Sequence, residues 1–278
     1  MNNQFMETII KNAENLSCDD YINPENGLRY CGKCHTPKQA YFDKEYIFNG
    51  FDRYPIMCKC QQEAHDKKKA QQLKAQQEEK IHKLRQQAFK DIPAQNWKFE
   101  NVPTSPQLEK LKHYVTKWEQ MKEKNMGVLL FGNVGTGKSY AAGCVANALI
   151  EKFQSVAFVG ISDVVNRMQG KYGDEREKYI KSLIRVDLLI LDDLGAERST
   201  SFGKEQIFDI INKRILSKKP MIITTNIPLH IMKTTENVNE RRIFDRVLEN
   251  CVPIVFDGEN FRRKNADINL KHMAKLIL

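Results

Sequence analysis

Five short apolar runs punctuate the chain from residue 128 onward: Val128-Leu129-Leu130-Phe131, residues 156–159, residues 188–191, Met221-Ile222-Ile223-Thr224-Thr225 and residues 252–256. Runs of this length without polar alternation predict strands covered on both faces. Between them the apolar positions recur at helical spacing. Ala141, Ala142, Val145, Ala146, Leu149 and Ile150 follow the first run, and residues 202–216 and 240–249 carry similar stripes. Strand–helix alternation predicts an α/β domain: a parallel sheet sandwiched between two helical layers. Upstream the pattern changes. Residues 61–90 are rich in Gln, Lys, Glu and Ala and lack Pro and Gly, which predicts a helix. Its apolar positions (Leu73, Ile81, Leu84, Ala88, Phe89) form a thin stripe without a sustained heptad. A solvated linker is therefore expected rather than a coiled coil. Ile92-Pro93 ends it. The expected division is a small module over 1–60, a helical linker over 61–91 and the α/β domain over 92–278.

The first run leads into Gly132-Asn133-Val134-Gly135-Thr136-Gly137-Lys138-Ser139, with Tyr140 beside it on the helix that follows. Gly, four residues, then Gly-Lys-Ser between a strand and a helix is the phosphate-binding P-loop pattern. Glycines let successive backbone N–H groups converge on an anion, and the helix N-terminus points its positive end there. Lys138 is expected to meet the β- and γ-phosphates of ATP, and Ser139 to offer its hydroxyl to Mg²⁺.

The third run ends in Asp192-Asp193, and the fourth is followed by Asn226. In a parallel sheet both ends lie at the same carboxyl edge as the P-loop, where ligands bind. Asp192 is expected to hold Mg²⁺ with Ser139, Asp193 to polarise the attacking water, and Asn226 to orient that water or touch the γ-phosphate. Arginines at 241, 242 and 246 lie on a predicted helix, and Arg262-Arg263 follows the last strand. Guanidinium groups stabilise charge on a transferring phosphoryl group.

Composition alters this picture in two places. The formal net charge is +9, which favours a polyanionic partner such as nucleic acid. No apolar run approaches the roughly 20 residues of a membrane span. The polar first fifteen residues lack a secretory h-region, so a cytoplasmic location without membrane association is expected.

Four of the seven cysteines cluster as Cys31-Gly32-Lys33-Cys34 and Cys58-Lys59-Cys60. That spacing points to a structural zinc ion held by four thiolates, with His35 and His65 as alternative ligands. Tyr41, Phe42, Tyr46, Phe48, Phe51 and Tyr54 lie between the pairs and suggest an aromatic mini-core around the metal. Cys144 and Cys251 are expected to be small core residues.

Together, Gly132 to Ser139, Asp192-Asp193, Thr224-Thr225-Asn226 and Arg242-x-x-x-Arg246 resemble the AAA+ ATPases. Within them they resemble the DnaC/DnaI-type replicative helicase loaders. The resemblance covers residues 92–264 well and the N-terminal module more loosely. It implies an AAA+ P-loop NTPase fold with Asn226 as sensor 1 and Arg246 as an arginine finger reaching a neighbouring subunit. Arg262 would be the sensor 2 arginine in cis, with Arg263 as the one-residue alternative. Many AAA+ proteins have Glu where Asp193 stands; the loader family shows this same Asp-Asp pair, and the resemblance thereby implies a slow ATPase used as a switch. The implied activity is ATP-dependent loading of the replicative hexameric DNA helicase (DnaB type) onto single-stranded DNA, with self-association through the AAA+ domain. An IstB-type transposition ATPase shares nearly the same core and is the closest rival.

Overall fold

The computed structural model describes residues 19–43, 52–90, 92–170, 173–195 and 201–264, together with Ala266, Leu270 and Met273. The chain divides into two compact units, Met1–Glu78 and Glu79–Leu278.

The first unit is built from two antiparallel pairs, β1 (Tyr21–Ile22) with β2 (Arg29–Tyr30), and β3 (Gln39–Tyr41) with β4 (Arg53–Pro55). The long helix α1 (Lys59–Phe89) begins here, with residues 61–78 exposed. Its last turns belong to the second unit, where Ala88 and Phe89 are buried.

The second unit holds a five-stranded, wholly parallel sheet: β5 (Gly127–Gly132), β6 (Val156–Gly160), β7 (Leu188–Leu194), β8 (Met221–Thr225) and β9 (Cys251–Phe256), in the order β6-β7-β8-β5-β9. Each of the five apolar runs is one of these strands. Side chains alternate between faces with period two. Val128, Leu130, Leu188, Ile190 and Ile222 enter one core, while Leu129, Leu189, Leu191, Met221 and Ile223 enter the other. The first core is closed by the end of α1, α2 (Pro106–Thr116), α3 (Trp118–Glu123) and α4 (Lys138–Glu151). The second is closed by α5 (Ile161–Gln169), α6 (Asp174–Arg185), α7 (Ser201–Leu216), the short α8 (Leu229–Thr234) and α9 (Val238–Asn250). Two cores on one sheet make the expected three-layer sandwich. Cys144 and Cys251 are buried in it, and burial pushes each thiol up to about 12.

Helix α4 is small-residue-rich and buried on nearly every side. Gly143 leaves room for Trp97, since a Cβ there would sit 2.3 Å from Cε3 of the indole. One turn on, the buried Asn147 amide donates to the carbonyls of Ala94 (2.8 Å) and Trp97 (3.0 Å) and accepts from Arg85 Nε (3.1 Å). The segment before α2 is thereby tied to the P-loop helix.

Arg214 on α7 is fully buried. It donates to the carbonyls of Ile184 (2.8 Å), Val186 (2.8 Å), Asp187 (2.7 Å) and Pro220 (2.7 and 3.3 Å). These carbonyls lie around the amino ends of β7 and β8, away from the ligand edge. Burial lowers its pKa to about 10. Arg214→Ala would leave four inward-facing carbonyls without that donor. Chemical unfolding should show a loss of about 3–5 kcal/mol. A loss below about 1 kcal/mol would be a surface-arginine result and would contradict this role.

Candidate active site and metal centre

The P-loop bridges β5 and α4. Gly137, at φ +90°, caps α4 in a left-handed conformation that an L side chain rarely adopts. Lys138 is buried, and its ammonium donates to the carbonyls of Gly132 (2.9 Å) and Asn133 (2.6 Å). Among the described residues no carboxylate lies within ion-pair distance of it. Burial lowers its pKa, while the nearby charges of Asp193 and Asp192 raise it and Arg262 lowers it. A buried cation resting on carbonyls at the N-terminus of a helix suits an incoming anion.

Asp192 and Asp193 stand at the carboxyl end of β7, where the β7–β8 register slips between Leu191 and Leu194. The Asp192 carboxyl is pushed up by burial, and hydrogen bonds from Thr224 and Ser139 oppose that shift. Ser139 lies close enough to Asp192 for its hydroxyl to oppose that shift. Both offer hard oxygen donors, which fit Mg²⁺. Asn226 lies on the same edge, but its amide donates to Asp193 Oδ1 at 2.9 Å. It addresses the second acid directly.

The tail after β9 returns to this edge. Phe261 N–H donates to the Gly135 carbonyl at 2.9 Å. A Cβ on Gly135 would lie 2.1 Å from Asn260 Oδ1, so the tail needs glycine there. Asn260 accepts from Arg263 N–H (3.2 Å) and opens a helical turn carrying Arg262. Of the two neighbouring arginines, it is Arg262 whose charge bears on Lys138.

The structure does not bring Arg246 into this half-site. It is exposed on α9 and pairs with Glu249 at 3.3 Å. Arg242 covers the Phe208 ring at 4.4 Å, and Arg241 donates to the Thr235 carbonyl. Among the basic residues that follow β6, Arg176 lies over Phe202 at 5.2 Å and Lys178 is exposed. Lys171 lies outside the described residues. Tyr140 stacks at a tilt on Trp97, with ring centroids 5.2 Å apart. Thr224, Asn260 and Trp97 are site-building residues without an assigned role in the sequence. The Asn before Phe-Arg-Arg was a visible helix-cap signal for the tail.

In the first unit the sulfurs of Cys31, Cys34, Cys58 and Cys60 all lie within 4.8 Å of one another. Cys31 and Cys60 are 3.6 Å apart, and Cys58 and Cys60 3.3 Å. Tetrahedral Zn–S bonds of about 2.3 Å would set sulfurs about 3.8 Å apart, so the set fits a zinc ion. The Thr36 hydroxyl lies 3.1 Å from Cys34 and accepts from Lys59 N–H at 2.9 Å, joining the two pairs. That hydroxyl, with the Cys60 backbone, draws Cys34 down to about 5. Contacts with Cys58, Cys31 and Cys34 push Cys60 up to about 12. Neither imidazole joins the cluster: His35 faces Tyr21 and His65 faces Asp66. The aromatic mini-core needs correction. Tyr41 and Tyr54 are 47% and 39% exposed, and Phe42 is half-buried against Tyr54. Tyr46, Phe48 and Phe51 lie outside the described residues. Among the described residues of this unit, Cys31 and Cys58 rather than the rings are the buried side chains.

Fold and site together define an ATP-binding domain of the P-loop type. The family model described as IstB-like ATP binding protein matches residues 61–268, and the chain belongs to that family. Replicative helicase loader DnaC of Escherichia coli (strain K12) is 28% identical over 180 residues, covering 61% of this chain and 71% of that protein. Replicative helicase loader DnaI of Bacillus subtilis (strain 168) is 25% identical over 262 residues, covering 87% of this chain and 81% of its own length. The crystal structure of DnaI superposes with a TM-score of 0.50 at 23% identity, over 57% of this chain and 89% of that one. That likeness bears on fold. Among the described residues no helix is long and apolar enough to cross a membrane.

Proposed function

We propose that the chain is an ATP-dependent loader that places the replicative hexameric helicase on single-stranded DNA as replication begins. One observation carries the reading. The likeness to DnaI spans 87% of the chain, more than the second unit alone contains, so it reaches into the cysteine-bearing unit. In this reading residues 1–60 form a zinc module that grips the helicase, 61–91 a helical linker, and 92–278 the ATPase domain.

Gly132 to Ser139, with Tyr140, receive the nucleotide, and Lys138 neutralises the β- and γ-phosphates. Ser139 and Asp192 hold Mg²⁺, which when bound supplies positive charge to the phosphate oxygens. Asp193 takes the proton of the attacking water, and Asn226 fixes that carboxylate. Arg262 faces the γ-phosphate in cis. The short Asp193 side chain, already engaged by Asn226, favours slow turnover suited to a timing switch.

Arg246 completes the site of a neighbouring copy in this reading, which its exposure and its position outside its own half-site support. Arg246→Ala should leave ATP affinity unchanged and lower hydrolysis by about a thousandfold, the low side of an arginine finger's contribution. Unchanged turnover in Arg246→Ala would defeat the shared-site reading. Co-purification with a replicative helicase hexamer tests the partner. Retention of a transposase instead would favour the IstB-type reading, which the shared family model also suits.

A further inference from the structure

We propose that Thr224 is a positioning residue of the hydrolytic site: its one hydroxyl sets the adjacent carboxylates Asp192 and Asp193 in their separate roles. This deepens the ATPase reading above and rests on it.

The geometry poses a problem that Thr224 solves. Successive residues of a strand point to opposite faces. A regular β7 would therefore present one of the two acids to the P-loop and turn the other away. Both nevertheless meet residues of the same sheet edge, Asp192 bonding Thr224 at 2.6 Å and Asp193 bonding Asn226 at 2.9 Å. The register slip explains this. Leu191 pairs with Ile223 and Leu194 with Thr225, so β7 spends one more residue than β8 over the same span. That extra residue is a β-bulge, which breaks the alternation and re-aims a side chain. Asp193 takes up the bend at φ +66°, a left-handed conformation that aspartate enters only at some cost.

A bulge frees a backbone N–H from the ladder, and that group needs a partner. Thr224 Oγ1 accepts the Asp193 N–H at 2.9 Å. The same oxygen donates its proton to Asp192 Oδ1 at 2.6 Å. A hydroxyl has one proton to give, so the two bonds fix its direction and its duties. The first holds the kink that throws the Asp193 carboxylate toward Asn226. The second fixes the plane of the Asp192 carboxylate beside Ser139. Thr224 is 1% exposed, so it acts through the acids and not on the nucleotide. Its neighbour Thr225 braces the far side of the bulge, donating to the Leu194 carbonyl at 2.7 Å and accepting from Ile227 N–H at 3.0 Å.

The test compares Thr224→Val, which keeps the shape and loses the hydroxyl, with Thr224→Ser, which keeps the hydroxyl. In Thr224→Val, kcat for ATP should fall about 10- to 100-fold, as for loss of a charge-assisted hydrogen bond. ATP affinity, from titration with a fluorescent ATP analogue, should stay within about threefold. The Mg²⁺ concentration giving half-maximal hydrolysis should rise. Thr224→Ser should recover turnover to within about threefold of the unaltered chain. A purely structural role would instead lower kcat, affinity and melting temperature together, and Ser would not rescue selectively; that pattern overturns the proposal. Unchanged kcat in Thr224→Val also overturns it, while leaving the ATPase reading intact. Absence of any hydrolysis by the unaltered chain, with single-stranded DNA present or absent, overturns the ATPase reading and this proposal with it.

Discussion

Lys138→Ala should weaken ATP binding by at least about a thousandfold, and hydrolysis should disappear with it. Two effects combine. The first is loss of charge: Lys138 is a buried cation at the mouth of a helix, where Coulomb attraction to phosphate is far stronger than at a wet surface. The second is loss of shape: its ammonium donates to the Gly132 and Asn133 carbonyls and so laces the loop closed before any ligand arrives. Lys138→Arg should fail as well, because a planar guanidinium does not fit the space of a compact ammonium. Thermal unfolding reads the result directly. Saturating nucleotide at about 100 times Kd should stabilise the unaltered chain by about 2.7 kcal/mol and the variant by nothing measurable. An equal shift in both proteins would remove Lys138 from the site.

The sheet was legible in the sequence because its strands are covered on both faces. Burial on both sides demands continuous apolar runs, and such runs survive as a signal without knowledge of their neighbours. Leu188 and Ile190 face one core while Leu189 and Leu191 face the other, so no position in that run tolerates a polar residue. The P-loop was legible for a similar reason: its backbone conformation restricts residue choice locally, as at Gly137. What the sequence hid depends on contacts between distant elements. Arg214 lies on a helix with other basic residues and reads as a solvated side chain. Only the meeting of α6, β7 and β8 places four carbonyls around it. Thr224 reads as one more strand residue until the bulge in β7 turns an N–H toward it.

The candidate site divides along the same line. Ser139, Asp192, Asp193 and Asn226 follow from strand ends sharing one edge, and the structure gathers all four. Asn260 and Phe261 do not follow from that rule, because the chain must leave β9 and double back across Gly135 to reach the loop. Arg246 shows the complementary case. Its sequence pattern suggests a phosphate contact, yet one folded chain places it in solvent beside Glu249. In the shared site proposed above, its phosphate partner would belong to another copy, and one chain's fold holds no such partner for it.

Metal removal should unfold the first unit and leave the second folded. Outside the exposed stretch of α1, the buried residues described in the first unit are Cys31 and Cys58. Two thiols make no hydrophobic core, and the rings of Tyr21, Tyr41 and Tyr54 lie exposed at the surface. The strand pairs are two or three residues long, too short to hold themselves together. A zinc ion joining four thiolates would supply what burial does not, since structural sites in small peptides bind with apparent energies of about 10–16 kcal/mol near pH 7. The four ligands come from the Cys31-x-x-Cys34 turn and from the entry to α1, so the ion would fasten the strand pairs to the start of that helix. The full chain should purify with one zinc per molecule. A strong chelator, or Cys58→Ser, should expose the first unit to protease and abolish helicase capture. ATP binding should persist, because Lys138 and Asp192 belong to a unit with its own two cores. A metal-free chain whose first unit resists protease would show that the sulfurs hold no structural ion. Loss of ATP binding on chelation would show that the second unit depends on the first.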